Sequence, residues 1–341
     1  MTSQGSNPGS GGTEPDAPGE GGTEPSGPVR PLPPTPIDAP QARKKGGSDL
    51  NARILTASIL IPLVLYLIAV GGLLYLLAVI GFVLLGMREF YALIAEKGAH
   101  PLTNWGYAAG AALPIVASVG NEYHVTMLMT AVLLGVMVSQ LRRPRIEEAL
   151  ANISGTFFGV FYVGWLFSHT IVLRNFHEVV GSKYGPAAAA MHGPDSGAYY
   201  MVFAATCLVA CDAGAYFAGR QFGRRKLAPQ ISPGKSVEGA IGGVIVGTLF
   251  GPITKGFIEL FWPGLTAGFG WDLALAFGFL LSIVGIIGDL VESLLKRDAE
   301  VKDAGGLLPG MGGILDRLDS PLLGIPLMYY LLLAYTYLQV G

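Results

Sequence analysis

Charge is scarce in this chain: Asp, Glu, Lys and Arg make up 13% of its 341 residues, against about 25% in a soluble globular protein. Half of the residues are hydrophobic (51%) and the mean hydropathy is +0.50. Together these exclude a water-soluble domain and indicate an all-α, polytopic membrane protein. Cysteine is scarcer still, with only Cys207 and Cys211, one helical turn apart in an apolar segment. A disulfide within one helix is geometrically poor, so the two read as packing residues and no disulfide framework exists. The five histidines are scattered and show no HExxH spacing, which removes the zinc-hydrolase reading. A net charge of −2, with the cations confined to certain loops, leaves no basic surface for a nucleic acid.

What is present falls into three parts: a tail (1–48), an N-terminal set of about five spans (49–197), and a C-terminal region (198–341) interrupted by polar loops at 220–238 and 293–320. The tail holds ten Gly and ten Pro in 48 residues, a composition of low-complexity disorder. It stays polar for about fifty residues before the first apolar run. No cleavable leader is therefore expected, and that run should remain as a span. From Ile54 to Met87 no charged residue occurs; as one helix this would be about 51 Å long, well beyond the ~30 Å hydrocarbon core. A hairpin turning at Gly71-Gly72 is expected instead.

Further spans are expected near 103–120, 123–141, 151–173, 198–219 and from 239 onward. The span from 239 is read as ending in an interfacial segment around Pro252, Lys255 and Glu259. The eighth runs from Trp271 to about Val291 and continues as helix into Lys296. The ninth covers 321–339, with Ser320 as its N-cap and Pro321 at its first position. Placing the N-terminus in the cytoplasm puts 19 of the 22 Lys and Arg on that side, all but Arg174, Lys183 and Lys255. Both polar loops then face the cytoplasm across the plasma (inner) membrane.

The most unusual stretch is Ser293–Asp319, SLLKRDAEVKDAGGLLPGMGGILDRLD. Its cations suit phosphate, its carboxylates a metal that also grips phosphate, and its glycines a close backbone approach. An ordinary solvated loop can have the same composition, so the order of residues is what counts. At the end of the eighth span Asp289, Glu292, Ser293 and Lys296 form one polar stripe. Pairing of Glu292 with Lys296 would account for part of it, but Asp289 lies one turn deeper and needs a partner or a wet cavity. Asp212, in Asp-Ala-Gly-Ala-Tyr near the end of the sixth span, raises the same requirement. Downstream, Ser232-Pro-Gly-Lys-Ser-Val-Glu-Gly239 invites a P-loop reading, which fails because position 229 is Pro and no strand is expected before it. Lys235 beside Ser232 and Ser236 can still meet a phosphate with charge and hydroxyl donors.

The order S-x-x-K-R-x-x-x-x-K-D-x-G-G-x-x-P-G-x-G-G-x-x-D-R-x-D over 293–319 resembles the signature of the phosphatidate cytidylyltransferases (CDP-diacylglycerol synthases). The pairing of D-x-G-A-Y-x-x-G with S-P-G-K-S-x-E-G looks like the upstream block of the same family. The resemblance covers about 205–320. It departs at Met311, where the family commonly has His, so no acid/base role is placed there. The resemblance implies that CTP and phosphatidate give CDP-diacylglycerol and pyrophosphate.

On that reading Asp289 and Asp316 hold Mg²⁺, with Asp212 and Asp319 as further candidates and a second, monovalent cation left open. Asp319 would share a face with Asp316 only if that turn is helical, which Pro321 leaves open. Lys296 and Arg297 join the two acids as catalytic residues, while Ser232, Lys235, Ser236, Lys302 and Arg317 contact substrate phosphates. The lipid tails stay in the bilayer, and the oligomeric state, commonly a homodimer, is open. Two rivals remain. A CDP-alcohol phosphotransferase resembles D-G-x-x-A-R with a D-x-x-x-D pair, whereas Asp316 and Asp319 are closer together. A secondary transporter would place its acids at mid-bilayer within an internal repeat, and no repeat is visible.

Overall fold

The computed structural model describes residues 46–119, 122–143 and 146–340; most of the Pro/Gly-rich tail lies outside them. The described chain is mostly helical, with one small hairpin. In order come α1 (Gly46–Val70), α2 (Gly72–Glu96), α3 (Thr103–Val119), α4 (Glu122–Gln140), α5 (Ala149–Gly159) and α6 (Leu166–Arg174), the last two joined by a π-helical turn, Val160–Trp165. Short α7 (Phe176–Tyr184) and α8 (Pro186–Ala190) lead to α9 (Ser196–Phe222). Strands β1 (Lys226–Ala228) and β2 (Ser232–Ser236) pair antiparallel ahead of α10 (Val237–Phe261), α11 (Trp271–Asp298) and α12 (Leu315–Val340). Among the described residues eight helices are long and apolar enough to cross a membrane, α5, the π turn and α6 counting as one. The remaining expected span, α3, is 17 residues, about 26 Å at 1.5 Å per residue.

The turn expected in the first long apolar run is found at Gly71 and Gly72, both with left-handed φ (65° and 60°), a conformation costly for any residue with a Cβ. Arg174 closes it, donating from Nε to the Ile68 carbonyl (2.6 Å) and from Nη2 to that of Ala69 (3.2 Å). A cation on the last carbonyls of α1 is a favourable cap. This gives one of the three cations left off the basic face a structural task. Lys255 has another: it is buried, bonded to Glu259 at 2.6 Å and placed 4.2 Å from the Trp271 ring. The helix runs unbroken through Pro252 to Phe261, with Lys255 paired to Glu259 one turn on.

Helices α9, α10 and α11 pack closely because α10 carries Gly239, Gly243, Gly247 and Gly251 at four-residue spacing on one buried face. A Cβ at 243 would sit 2.8 Å from the Cys211 carbonyl oxygen, one at 247 would sit 2.9 Å from that of Cys207, and one at 251 would collide with Ala274. Small residues let backbones approach where lipid supplies no hydrophobic drive. Cys207 and Cys211 are free and buried in this contact, as packing residues should be.

Opposite the basic face, His192 sits buried between α8 and α9. The Thr336 hydroxyl donates to the Leu332 carbonyl (2.8 Å) and so accepts from His192 Nε2 (2.9 Å), leaving Nδ1 to accept from Tyr200 (2.6 Å). Burial, helped by His177, pushes its pKa down to about 4. An unfolded histidine titrates near 6.5, so its contribution to stability is whole above that pH and declines as pH falls towards 4. The unfolding temperature of His192→Gln should therefore depend less on pH between 7 and 4 than that of the parent, as scanning fluorimetry in detergent would show.

Candidate active site

The site forms where α9, α11 and α12 reach the same face. The C-terminal turns of α11 present Asp289, Glu292, Ser293, Lys296 and Arg297, and the first turn of α12 presents Asp316, Arg317 and Asp319. Helix α12 starts at Leu315, six residues before Pro321, so Ser320 is not its N-cap. Instead the Ser320 hydroxyl donates to the Gly285 carbonyl (3.1 Å). The earlier start has two causes. The Leu315 N–H donates to Glu89 Oε2 (2.8 Å), and Asp316 accepts from Gly313 N–H (2.7 Å). The turn that Pro321 left open is helical, yet its two acids go separate ways.

Asp319 joins Asp289 and Glu292: each offers a carboxylate oxygen, all within 4.8 Å of one another. Asp316 is occupied elsewhere. It receives Lys296 Nζ at 2.8 Å and the N–H groups of Ala304 (3.2 Å) and Gly313 (2.7 Å), which makes it the anchor of the 299–314 loop. Lys296 also bonds Glu292 (2.6 Å), the intrahelical pairing foreseen from spacing. Asp289 finds its partner in Lys235, which reaches across from β2 to form an ion pair. The Ser293 hydroxyl lies 3.4 Å from Asp289 Oδ1. Asp212, ten residues before the end of α9, is within electrostatic reach of Asp319, Asp289 and Lys235.

Other expected site residues are held by backbone. Arg297 Nε donates to the Ile231 carbonyl (3.2 Å) and so fastens the hairpin to α11. Ser236 is the N-cap of α10, accepting from Gly239 N–H (3.1 Å), while Ser232 at the other end of β2 pairs in register with Ala228. Glu238 in the first turn accepts from the N–H groups of Arg224 (3.0 Å) and Arg225 (3.1 Å). Lys302 is exposed on the loop.

Leu308–Met311 is a tight turn, with Met311 N–H on the Leu308 carbonyl (3.0 Å) and Gly310 at φ 76° after Pro309, as a type II turn requires. The Met311 carbonyl accepts from Arg317 Nη2 (2.6 Å) and Nε (3.1 Å). The backbone of residue 311, rather than its side chain, does the holding. Met311→His should accordingly change turnover by no more than about threefold, whereas a tenfold gain would give the imidazole a catalytic part.

Two residues of the N-terminal half reach this site unannounced by the sequence. Glu89 on α2 is buried under the loop; a Cβ at Gly305 or Gly313 would meet its carboxylate within 2.5 Å, so those glycines make room for a side chain as well as for any phosphate. Tyr162, in the π-helical turn, is buried with an unpartnered hydroxyl within electrostatic reach of Glu292 and Asp319. Glu89 sat in an unremarkable Arg-Glu pair ending a span, and Tyr162 among other aromatics. No local pattern could have singled out either one.

Acids from two helix ends, two lysines inserted between them and a backbone-anchored loop make a charge-dense recess in an apolar protein. The profile described as the cytidylyltransferase family matches residues 51–335. The chain belongs to that family. A phosphatidate cytidylyltransferase of Synechocystis is 34% identical over 290 residues, 82% of this chain and 94% of the relative. One from Pseudomonas aeruginosa is 33% identical over 290 residues, covering 84% and 97%. One from Bacillus subtilis is 37% identical over 175 residues, 51% of this chain and 56% of the relative. The family match takes in the N-terminal helices as well, in keeping with the approach of Glu89 and Tyr162 to the site.

The acidic triad fits a hard divalent cation. Its donors are carboxylate oxygens, and Glu292, fully buried, keeps Oε1 without a partner. An unpaired buried carboxylate oxygen is costly, and an ion beside it removes the cost.

Proposed function

We propose that this protein transfers the cytidylyl group of CTP to phosphatidate, releasing pyrophosphate and leaving CDP-diacylglycerol in the membrane. The observation that carries this reading is the acid triad Asp289, Glu292 and Asp319 with Lys235 and Lys296 in direct contact with two of its members. The relatives' names supply the substrates. Asp289, Glu292 and Asp319 would hold Mg²⁺, which neutralises triphosphate charge and stabilises leaving pyrophosphate when bound. Asp212 stands near enough to join them, whereas Asp316 would first have to give up its loop contacts.

The rest follows from the chain. Both substrates are anions, so positive charge must be in place before they meet. Lys235, held by Asp289, and Lys296, held by Glu292 and Asp316, are fixed donors that need no reorganisation as a triphosphate arrives. A phosphate-monoester oxygen of the lipid attacks the α-phosphorus of CTP, and the bond to the β-phosphate oxygen breaks. That nucleophile is largely ionised at pH 7, its second pKa being about 6, so no general base is required. Arg297 keeps the hairpin that carries Lys235 against α11, which makes it a positioning residue. Lys302, exposed on the loop, and Arg317, which holds the loop at the Met311 carbonyl, would add positive charge for the phosphates.

We place this face in the cytoplasm of a plasma-membrane enzyme with nine crossings. In support, Trp105 Nε1 in the first turn of α3 donates to Ser139 Oγ near the end of α4 (2.7 Å), so α3 runs antiparallel to α4 across the same layer. Arg53 beside Gly310, Lys97 paired with Asp298 (3.3 Å) and Arg143 on the His100 carbonyl gather at the site's end, as cytoplasmic cations do. The region 198–341 supplies the acids and lysines, and 49–197 braces them. The test is formation of CDP-diacylglycerol from labelled CTP and phosphatidate by purified protein in mixed micelles, with and without Mg²⁺. Mg²⁺-dependent product is expected; none under any divalent metal would overturn the reading.

A further inference from the structure

A cavity of about 300 Å³ opens beside the site, between α2, α5 and α11. Its walls are apolar, formed by Phe90, Ile94, Phe158 and Leu295, and its rim carries Lys97 and Asp298. Three features bear on what enters it. The rim lies at the end of the protein that holds the acid triad, because Leu295 precedes Lys296 and Phe90 follows Glu89. Its inner wall packs against a residue close to the acids: the Phe158 ring stacks on Tyr162 at 5.4 Å, Phe90 stands 5.8 Å from the same ring, and Tyr162 is in electrostatic reach of Glu292 and Asp319. The charge at the rim is available too. Lys97 and Asp298 pair at 3.3 Å with both side chains largely exposed, and such exposed pairs are weak enough for a competing anion to break.

A lipid with an apolar chain and an anionic head matches this lining, with the chain within and the head beside Lys97 at the end of the protein that holds the triad. We infer that the cavity receives an acyl chain of the phosphatidate substrate, with Lys97 meeting the charge of its phosphate end. This rests on phosphatidate being the lipid used. Acyl-chain selectivity then lies mainly in α2 and α5, which supply most of the cavity's lining.

Ser154, at the cavity wall on α5, is exposed and donates only within its own helix, to the Leu150 and Ala151 carbonyls, so Ser154→Trp fills the opening without disturbing the core. The variant should raise KM for dioleoyl phosphatidate at least tenfold, with kcat/KM for dihexanoyl phosphatidate within twofold of the parent and KM for CTP unchanged. Equal losses on both lipids, or no loss on either, would overturn the assignment.

A phosphatidate carrying a diazirine on its acyl chain gives a readout that needs no turnover. Label is expected in 90–97 and 154–158, displaced by phosphatidate and not by phosphatidylcholine. Label spread evenly over outward-facing positions such as Leu73 and Leu134 would reduce the cavity to a packing gap. Cavity labelling by a protein that turns over neither lipid would uphold the lipid site and refute cytidylyl transfer.

Discussion

Asp289→Asn is expected to lower CDP-diacylglycerol formation by about a thousandfold or more while the protein remains inserted and thermally stable. Asn keeps the volume of the side chain and one carbonyl oxygen but removes the charge that matters twice, as a member of the triad and as the counter-ion that fixes Lys235. Removal of a single preorganised electrostatic contact costs about 10²–10³ in rate, and here a metal ligand and a phosphate donor are disturbed together. Titration with Mg²⁺ separates the two losses. Full recovery at high Mg²⁺ would reduce Asp289 to an affinity role and leave Glu292 and Asp319 as the principal ligands. Unchanged activity at low Mg²⁺ would take Asp289 out of the site.

Glu89→Ala should be nearly as damaging although the residue faces neither substrate. Its carboxylate accepts from Leu315 N–H at the start of α12, and Gly305 and Gly313 close over it. Its loss leaves a buried N–H unpaired and a void beneath the loop, a defect of about 2–4 kcal/mol when the hydrogen bond and cavity are combined. If that energy falls on the loop, which places Asp316 and Asp319, turnover should drop at least a hundredfold. Limited proteolysis should then cut between 299 and 314 while the remaining helices resist. Gly313→Ala attacks the same contact from the other side and should reproduce the phenotype. Normal activity in both variants would show that the loop holds its shape without Glu89.

Most of the architecture could be read before any coordinates, because a bilayer forces backbone polar groups to be satisfied within each segment. The hairpin at Gly71-Gly72 and the run of α11 into Lys296 both follow from length, hydropathy and charge. Expectation failed where a local rule met a tertiary partner. Pro321 looked like a helix start until Glu89 and Asp316 supplied earlier caps.

The site divides along the same line. Residue types along Ser293–Asp319, together with the hairpin lysine, suited phosphate and metal chemistry but equally an ordinary solvated loop, and only the order of residues, through its resemblance to a family, favoured the former. Which carboxylates face one another was decided only by folding. Asp316 turned to the loop amides and Lys296, while Asp319 met Asp289 and Glu292 across the contact of α11 and α12. Tyr162 and Glu89 arrived from helices more than a hundred residues away. A one-dimensional pattern records the composition of a site and the spacing within each helix, but the distances between helices depend on side chains and glycines that bear on packing alone.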